Sequence, residues 1–207
     1  MTLDDLEELH YIAPIANAAR IWQLGILSHQ ASARVPHASA AMAEVQERRA
    51  AKQIPLAGGK WRSLHSYVNL YICARNPMMF RLVYHGWRNE LCVARVHKSV
   101  LEIPGVVIAD RNAAADMVRF APAPRGLELI ERDRVFAEYW THPNDLLDQW
   151  RHKGEKCAEV LVPDRVPPEY IIGAYVAFVQ GVERLASELS HVGRATDVQV
   201  CPDLFFG

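Results

Sequence analysis

Cysteine is scarce in this 207-residue sequence. Cys73, Cys92, Cys157 and Cys201 are scattered, with no C-x-x-C pair and no closely spaced histidine beside them. A disulfide framework and a zinc knuckle are thereby excluded, and the four read as free, buried or half-buried thiols. An excess of charge of one sign is lacking too: 23 Lys and Arg oppose 24 Asp and Glu, a net charge of −1. A general polyelectrolyte binder is ruled out, and contact with nucleic acid has to come from local clustering. No apolar run approaches the ~18 residues of a membrane span. The acidic start, Met1 to Glu8, has neither the positive nor the apolar region of a secretory signal. A cytoplasmic protein with no membrane partner is expected.

Internal repeats, low-complexity tracts and heptad runs are missing, and so are several signatures of common chemistry. G-x-G-x-x-G, G-x-S-x-G and H-E-x-x-H do not occur, and Gly58-Gly59-Lys60-Trp61 lacks both the first Gly of a P-loop and the Ser or Thr after its Lys. Rossmann oxidoreductases, serine hydrolases of the elbow type, zincins and P-loop NTPases are disfavoured accordingly.

What is present is a chain half apolar and long enough to bury a substantial core, read as a single domain over 1–207. A strand is expected at Leu9 to Ile12. A helix follows from Pro14 to Leu24, where Ile15, Ala18, Ala19 and Trp22 recur at helical spacing and Gly25 is the stop. A second helix is expected from Ala40 to Gln53, carrying Arg48 and Arg49. Apolar, β-branched runs predict strands at Val68–Cys73, Leu91–Val96, Val106–Ala109, Ala158–Val162, Tyr170–Ala177 and Val198–Cys201, with helices at Asn112–Phe120 and Gly181–Leu189. The strands are short and not interleaved with long helices, so an α+β fold on mostly antiparallel strands is expected in place of a doubly wound sheet.

Three local features carry candidate chemistry. Glu159 interrupts the apolar run from Cys157 to Val162, and alternation puts it on one face with Cys157 and Leu161. It is either a solvated group on an edge strand or a carboxylate at a cleft, placed to orient a hydroxyl or stabilise a developing cation. Arg48, Arg49, Lys52, Lys60 and Arg62 form a basic stretch with no acidic residue among them. That is a solvated face or a phosphate site, and Trp61, His65 and Tyr67 just beyond supply the flat surfaces that unpaired bases require. The third is Tyr71 to Phe80, read as a strand, a polar turn and an apolar patch.

In this order the segments resemble the DarT family of NAD-dependent toxins that ADP-ribosylate bases in single-stranded DNA. The stretch Leu9 to Asn17 and Gly25 to Ser28 are similar to the family's His-x-Thr-His-x-x-Asn opening and its Gly-Leu turn. Val45 to Arg49, then Val68 to Met78 beside the family's V-P-F-Y-x-x-x-R-S-P-M, Asp110 to Ala114, Ala158 to Val162 and Asp203 to Phe206 continue the match. Ala13 and Pro14 stand where the family has Thr and His, and Asn69 and Leu70 replace Pro and Phe.

The resemblance implies an ADP-ribosyltransferase-like fold, two facing β-sheets around an NAD cleft with flanking helices. It implies Glu159 as catalytic residue and Arg49 as its companion, with Arg48 the close alternative. His10, Tyr11, Ile12, Ala13, Asn17, Ser28, Arg48 and Tyr71 would bind NAD+, the co-substrate, and no metal is expected. Arg48, Lys52, Lys60, Arg62, Arg75 and Arg111 would bind the DNA strand. The modified base would be thymine or guanine, and the cellular partner an antitoxin, a macrodomain-type or related ADP-ribosyl hydrolase. The alternatives are transfer to RNA, protein or a small molecule, and a non-catalytic nucleic-acid-binding module of the same fold. Under the leading reading Glu159 stabilises the oxocarbenium-like ribose formed as nicotinamide leaves. As an unpaired carboxylate its removal should abolish turnover at little cost to folding.

Overall fold

The computed structural model describes residues 1–33, 35–38 and 43–207. Among them the strands are β1 (Glu8–Pro14), β2 (Ile26–Leu27), β3 (Gln53–Pro55), β4 (Trp61–Ser63), β5 (Tyr67–Tyr71), β6 (Leu91–His97), β7 (Val107–Ala109), β8 (Phe120–Pro122), β9 (Glu159–Pro163), β10 (Arg165–Val166), β11 (Ile171–Val176) and β12 (Asp197–Val200). The helices are α1 (Ala18–Leu24), α2 (His29–Ser32), α3 (Ala43–Ala51), α4 (Pro77–Tyr84), α5 (Arg132–Val135), α6 (Leu146–Glu155) and α7 (Val179–Leu189). The α+β class expected from the sequence holds.

Eight strands form one sheet in the order β12-β11-β6-β1-β5-β9-β7-β8. All pairings are antiparallel except β11 with β12. The ladder is uneven. β1 pairs with β6 from Glu8↔His97 to Pro14↔Leu91, whereas β1 and β5 meet only at His10↔Tyr71. The two sheets expected are thus two four-stranded halves joined at a single residue pair.

The main core fills the space between this sheet and α1 and α7. In α7 the buried residues Gly181, Leu185 and Leu189 recur every four positions, a single apolar stripe. Along β9 and the residue before it, Ala158, Val160 and Val162 point into this core while Leu161 packs into a second cluster with Val107, Ala109 and Tyr67 on the other face. Gly25 ends α1 with φ +85°, and a Cβ there would lie 2.1 Å from the Val166 carbonyl oxygen. Glycine is required twice over, for the left-handed turn and for the close approach of the β2–β10 pair.

Several boundaries differ from expectation. Ala40, Ala41 and Met42, where the second helix was expected to begin, lie outside the described residues; its far end is Ala51, and Gln53 opens β3. The helix expected at Asn112–Phe120 is a closed loop leading into β8. There the Asp110 carboxylate accepts from the Arg119 backbone N–H at 2.9 Å, and Asn112 Oδ1 accepts from the Ala114 N–H at 2.9 Å. Short polar side chains that bind nearby backbone in this way compete with the helix. Conversely α4 occupies part of the stretch read as turn and patch. Asn76 caps it, accepting from the N–H groups of Met78 and Met79, and Pro77 fills the first turn.

Candidate active site

A cavity of about 350 Å³ opens where β1 and β5 part company, within the size range of small-molecule sites. Tyr11 and Ile12 of β1 form one part of the wall, Tyr67 to Asn69 and Tyr71 of β5 another, and α1, β2, α2, α3, α4, the turn at Leu64 and His65 and the loop at residues 35–38 complete it. Asn17 lies at its edge and ties down the loop beside it: its side-chain amide donates to the Ala38 carbonyl at 2.8 Å and accepts from the Ala38 N–H at 2.9 Å.

Arg49, near the C-terminal end of α3, reaches into the same cavity although it is only 6% exposed. Its Nη1 donates to both carboxylate oxygens of Glu159, at 3.3 and 3.2 Å. Glu159 is 0% exposed and stands behind Arg49, so it is not on the cavity surface. Its strand is interior, between β5 and β7, which removes the solvated-edge reading. In register it faces Tyr71 on one side and Ala109 on the other. Burial pushes its carboxyl above the ordinary range; Arg49 and the Ala113 backbone pull it back only in part. Burial and the neighbouring Glu159 likewise hold the Tyr71 hydroxyl well above the usual phenol value. The result is a carboxylate with incomplete charge compensation one hydrogen bond behind a cavity wall.

Of the residues singled out for NAD+, the structure gathers Tyr11, Ile12, Asn17 and Tyr71 around the cavity. His10, Ser28, Ala13 and Arg48 are elsewhere. The His10 ring bridges the Ile72 carbonyl and Glu8. Ser28 caps α2, accepting from the Ala31 N–H at 3.2 Å. Ala13 is in the core, and Arg48 is exposed, about 100° round the helix from the buried Arg49.

The basic residues do not make one continuous track. Lys60 is exposed, while Lys52 donates to the Ala115 carbonyl. Arg62 pairs with Asp164 at 2.6 Å and lies over the Tyr67 ring. Arg75 donates to the Asp203 carbonyl and stacks on Phe206. Arg111 is held by Asp110 and Glu155.

His29 and Gln46 carry no signal in the sequence as site residues, and His65 stands out there only as an aromatic neighbour of the basic stretch. The rings of His29 and His65 lie against each other at a 38° tilt with centroids 4.2 Å apart, and both line the cavity. His65 Nε2 and Gln46 Oε1 are buried without a hydrogen-bond partner among the described residues. Burial, then His29 and Arg49, lower the pKa of His65 against an opposing hydrogen bond with the Gln46 backbone, and so disfavour the imidazolium beside the guanidinium. Orphaned polar atoms lining a cavity are what a polar ligand would satisfy. No local pattern in the sequence announces them.

Comparison with known proteins places these features in context. A family model described as ssDNA thymidine ADP-ribosyltransferase, DarT, matches residues 10–206. A DNA ADP-ribosyl transferase–DNA ADP-ribosyl glycohydrolase fusion protein of Thermosipho africanus (strain H17ap60334) is 30% identical over 207 residues, 96% of this chain and 49% of that protein. The solved structure of Thermosipho africanus DarTG in complex with ADP-ribose superposes with a TM-score of 0.82 at 28% identity, covering 97% of this chain and 51% of that one. This chain therefore spans about half the length of those relatives. Thermus sp. 2.9 DarT in complex with ADP-ribosylated ssDNA gives a TM-score of 0.84 at 23% identity, with 99% of each chain covered, and its complex with NAD+ gives 0.79 at 21% identity, with 99% and 100% covered. The likeness to the Thermus structures establishes the fold.

Proposed function

Given that the chain belongs to the DarT family of ssDNA thymidine ADP-ribosyltransferases, we propose that it transfers ADP-ribose from NAD+ to thymine in single-stranded DNA. The observation that carries this reading is the Arg49–Glu159 pair at the cavity where the two half-sheets separate. In the reaction the bond between C1″ and nicotinamide breaks, a base nitrogen forms the new bond to C1″, and its proton passes to solvent. Nicotinamide is released.

Positive charge builds on the ribose before the new bond forms. A carboxylate that is buried and only partly neutralised stabilises such charge strongly, because little solvent screens it and no reorganisation is needed. Glu159 has this role, and Arg49, the residue that separates it from the cavity, shifts toward the base or the pyrophosphate as substrate arrives. Tyr11, Ile12, Asn17 and Tyr71 hold the dinucleotide, with His65 and Gln46 supplying acceptors for its hydroxyl or amide hydrogens. Single strands are the substrate because a nitrogen engaged in base pairing is out of reach, and extruding a base costs a few kcal/mol.

The fused glycohydrolase in the Thermosipho relative supports a DNA ADP-ribosyl glycohydrolase as the cognate antitoxin. No helix among the described residues is long and apolar enough to cross a membrane. Incubation with NAD+ and a mixed-sequence oligonucleotide, then digestion and nucleoside analysis, tests the proposal. ADP-ribosyl-thymidine is expected. Absence of any adduct from folded protein, or an adduct on another base alone, overturns it.

A further inference from the structure

One contact outside the cavity is not explained by packing or by the proposed transfer. Lys156, which closes α6, is 1% exposed, yet no carboxylate lies within ion-pairing distance among the described residues. Its Nζ donates to the Val135 carbonyl at 2.8 Å and to Cys73 Sγ at 3.2 Å. A buried amine without a counter-charge is unfavourable and needs a reason. Cys73 is a free, half-buried thiol just past the end of β5, with its Sγ 3.6 Å from the Arg75 carbonyl oxygen. The Ile72 N–H donates to the Ala158 carbonyl one step beyond the β5–β9 ladder, and thiol and amine meet just past that bond, two residues beyond the ladder on one chain segment and three on the other.

We propose that Cys73 and Lys156 form a peroxide-responsive modification site that closes to a sulfenamide cross-link. Hydrogen peroxide oxidises the thiol: its O–O bond breaks, one oxygen joins sulfur, and the other leaves as water, giving a sulfenic acid. Lys156, having released its ammonium proton to solvent, then attacks sulfur through Nζ. The S–N bond forms, the S–O bond breaks, and the departing hydroxyl takes a proton from nitrogen and leaves as water. A dithiol reverses the step, returning thiol and amine as it becomes a disulfide. Capture by nitrogen is favoured because Lys156 is already in contact, while the half-buried position admits peroxide more readily than a bulky thiol. The link joins residues 83 apart and restrains the start of β9, the strand headed by Glu159. Closing so long a loop raises the unfolding temperature by restricting the unfolded chain.

The site stands independently of the proposed transfer. It is tested by treating the full chain with hydrogen peroxide, alkylating, digesting and sequencing linked peptides by tandem mass spectrometry. Expected are an intact mass lower by two hydrogens, a Cys73–Lys156 linked peptide and a higher Tm, all reversed by dithiothreitol. Cys73→Ser abolishes all three, and Lys156→Arg diverts Cys73 to the sulfinic acid. The proposal is overturned if wild-type Cys73 goes straight to sulfinic acid, stays reduced while other thiols oxidise, or links to another residue such as Cys157. Should Lys156→Arg not fold, the wild-type peptide map decides by itself.

Discussion

Two glutamates open strands on either side of the seam, and both are buried: Glu8 at the start of β1, 8% exposed, and Glu159 at the start of β9, 0% exposed. Burial pushes both carboxyls upward. Around Glu8 it is outweighed by hydrogen bonds from His10, Tyr175 and Arg95, the last at 2.8 Å, and the pKa falls to about 2. Around Glu159 the Arg49 contacts are longer and the Ala113 backbone adds little, so burial prevails. The same residue type in the same kind of position is a structural anchor in one half-sheet and, under the proposed transfer, the reactive group in the other. What separates them is how completely the surrounding donors satisfy the charge.

The strongest way to break this comparison is Glu159→Gln, which should lower ADP-ribosyl transfer on the order of 10³-fold, read by adduct formation on a thymidine-containing oligonucleotide. The expectation that Glu159→Ala leaves folding almost untouched does not survive the structure, because the carboxylate is paired. Stranding Arg49 should cost about 3 kcal/mol in chemical unfolding, and Arg49→Met combined with Glu159→Leu should recover most of it.

Arg49→Gln should lower turnover about 10²-fold and move the acid limb of the pH–rate profile upward, since the remaining carboxyl loses the cation that favours its ionised form. An unmoved limb would show that some other group sets it.

Stability against pH sharpens the contrast further. Glu8 has a folded pKa below its ordinary 4.5, so its contribution is present above that value and is lost as pH falls from 4.5 toward 2. Glu159 has the opposite sign: its contribution is present below 4.5 and is lost as pH rises through its elevated folded value. Glu8→Gln should therefore be less stable than wild type by roughly 2 kcal/mol at pH 7, the range of a charged hydrogen bond, with the gap closing in acid. The smallest effect is expected at the surface. Arg48→Ala and Lys60→Ala should each flatten the salt dependence of single-strand binding by about 0.7 in log–log slope if each meets one phosphate, with little change in stability.

The half-sheets themselves were legible. β6, β9, β11 and α7 follow from β-branched runs and an amphipathic stripe because their side chains face a core. α6 was invisible for the opposite reason: Leu146, Leu147 and Trp150 are exposed, so no inward stripe marks it, and the Asp145 cap alone is a weak sign. α4 had both Asn76 and Pro77 as start signals, but its Met residues read as a patch. Glu159 was conspicuous because an apolar strand seldom carries a carboxylate. Its pairing with Arg49, 110 residues away, and the contact of His29 with His65 arise only from tertiary approach.

The single rung at His10↔Tyr71 gives the sheet a mechanical fault line. Bending there disturbs one backbone pair, whereas bending within either half strains a full ladder. The width of the cavity can therefore follow its contents at small cost in backbone hydrogen bonds, with Tyr11 and Tyr71 as the jaws.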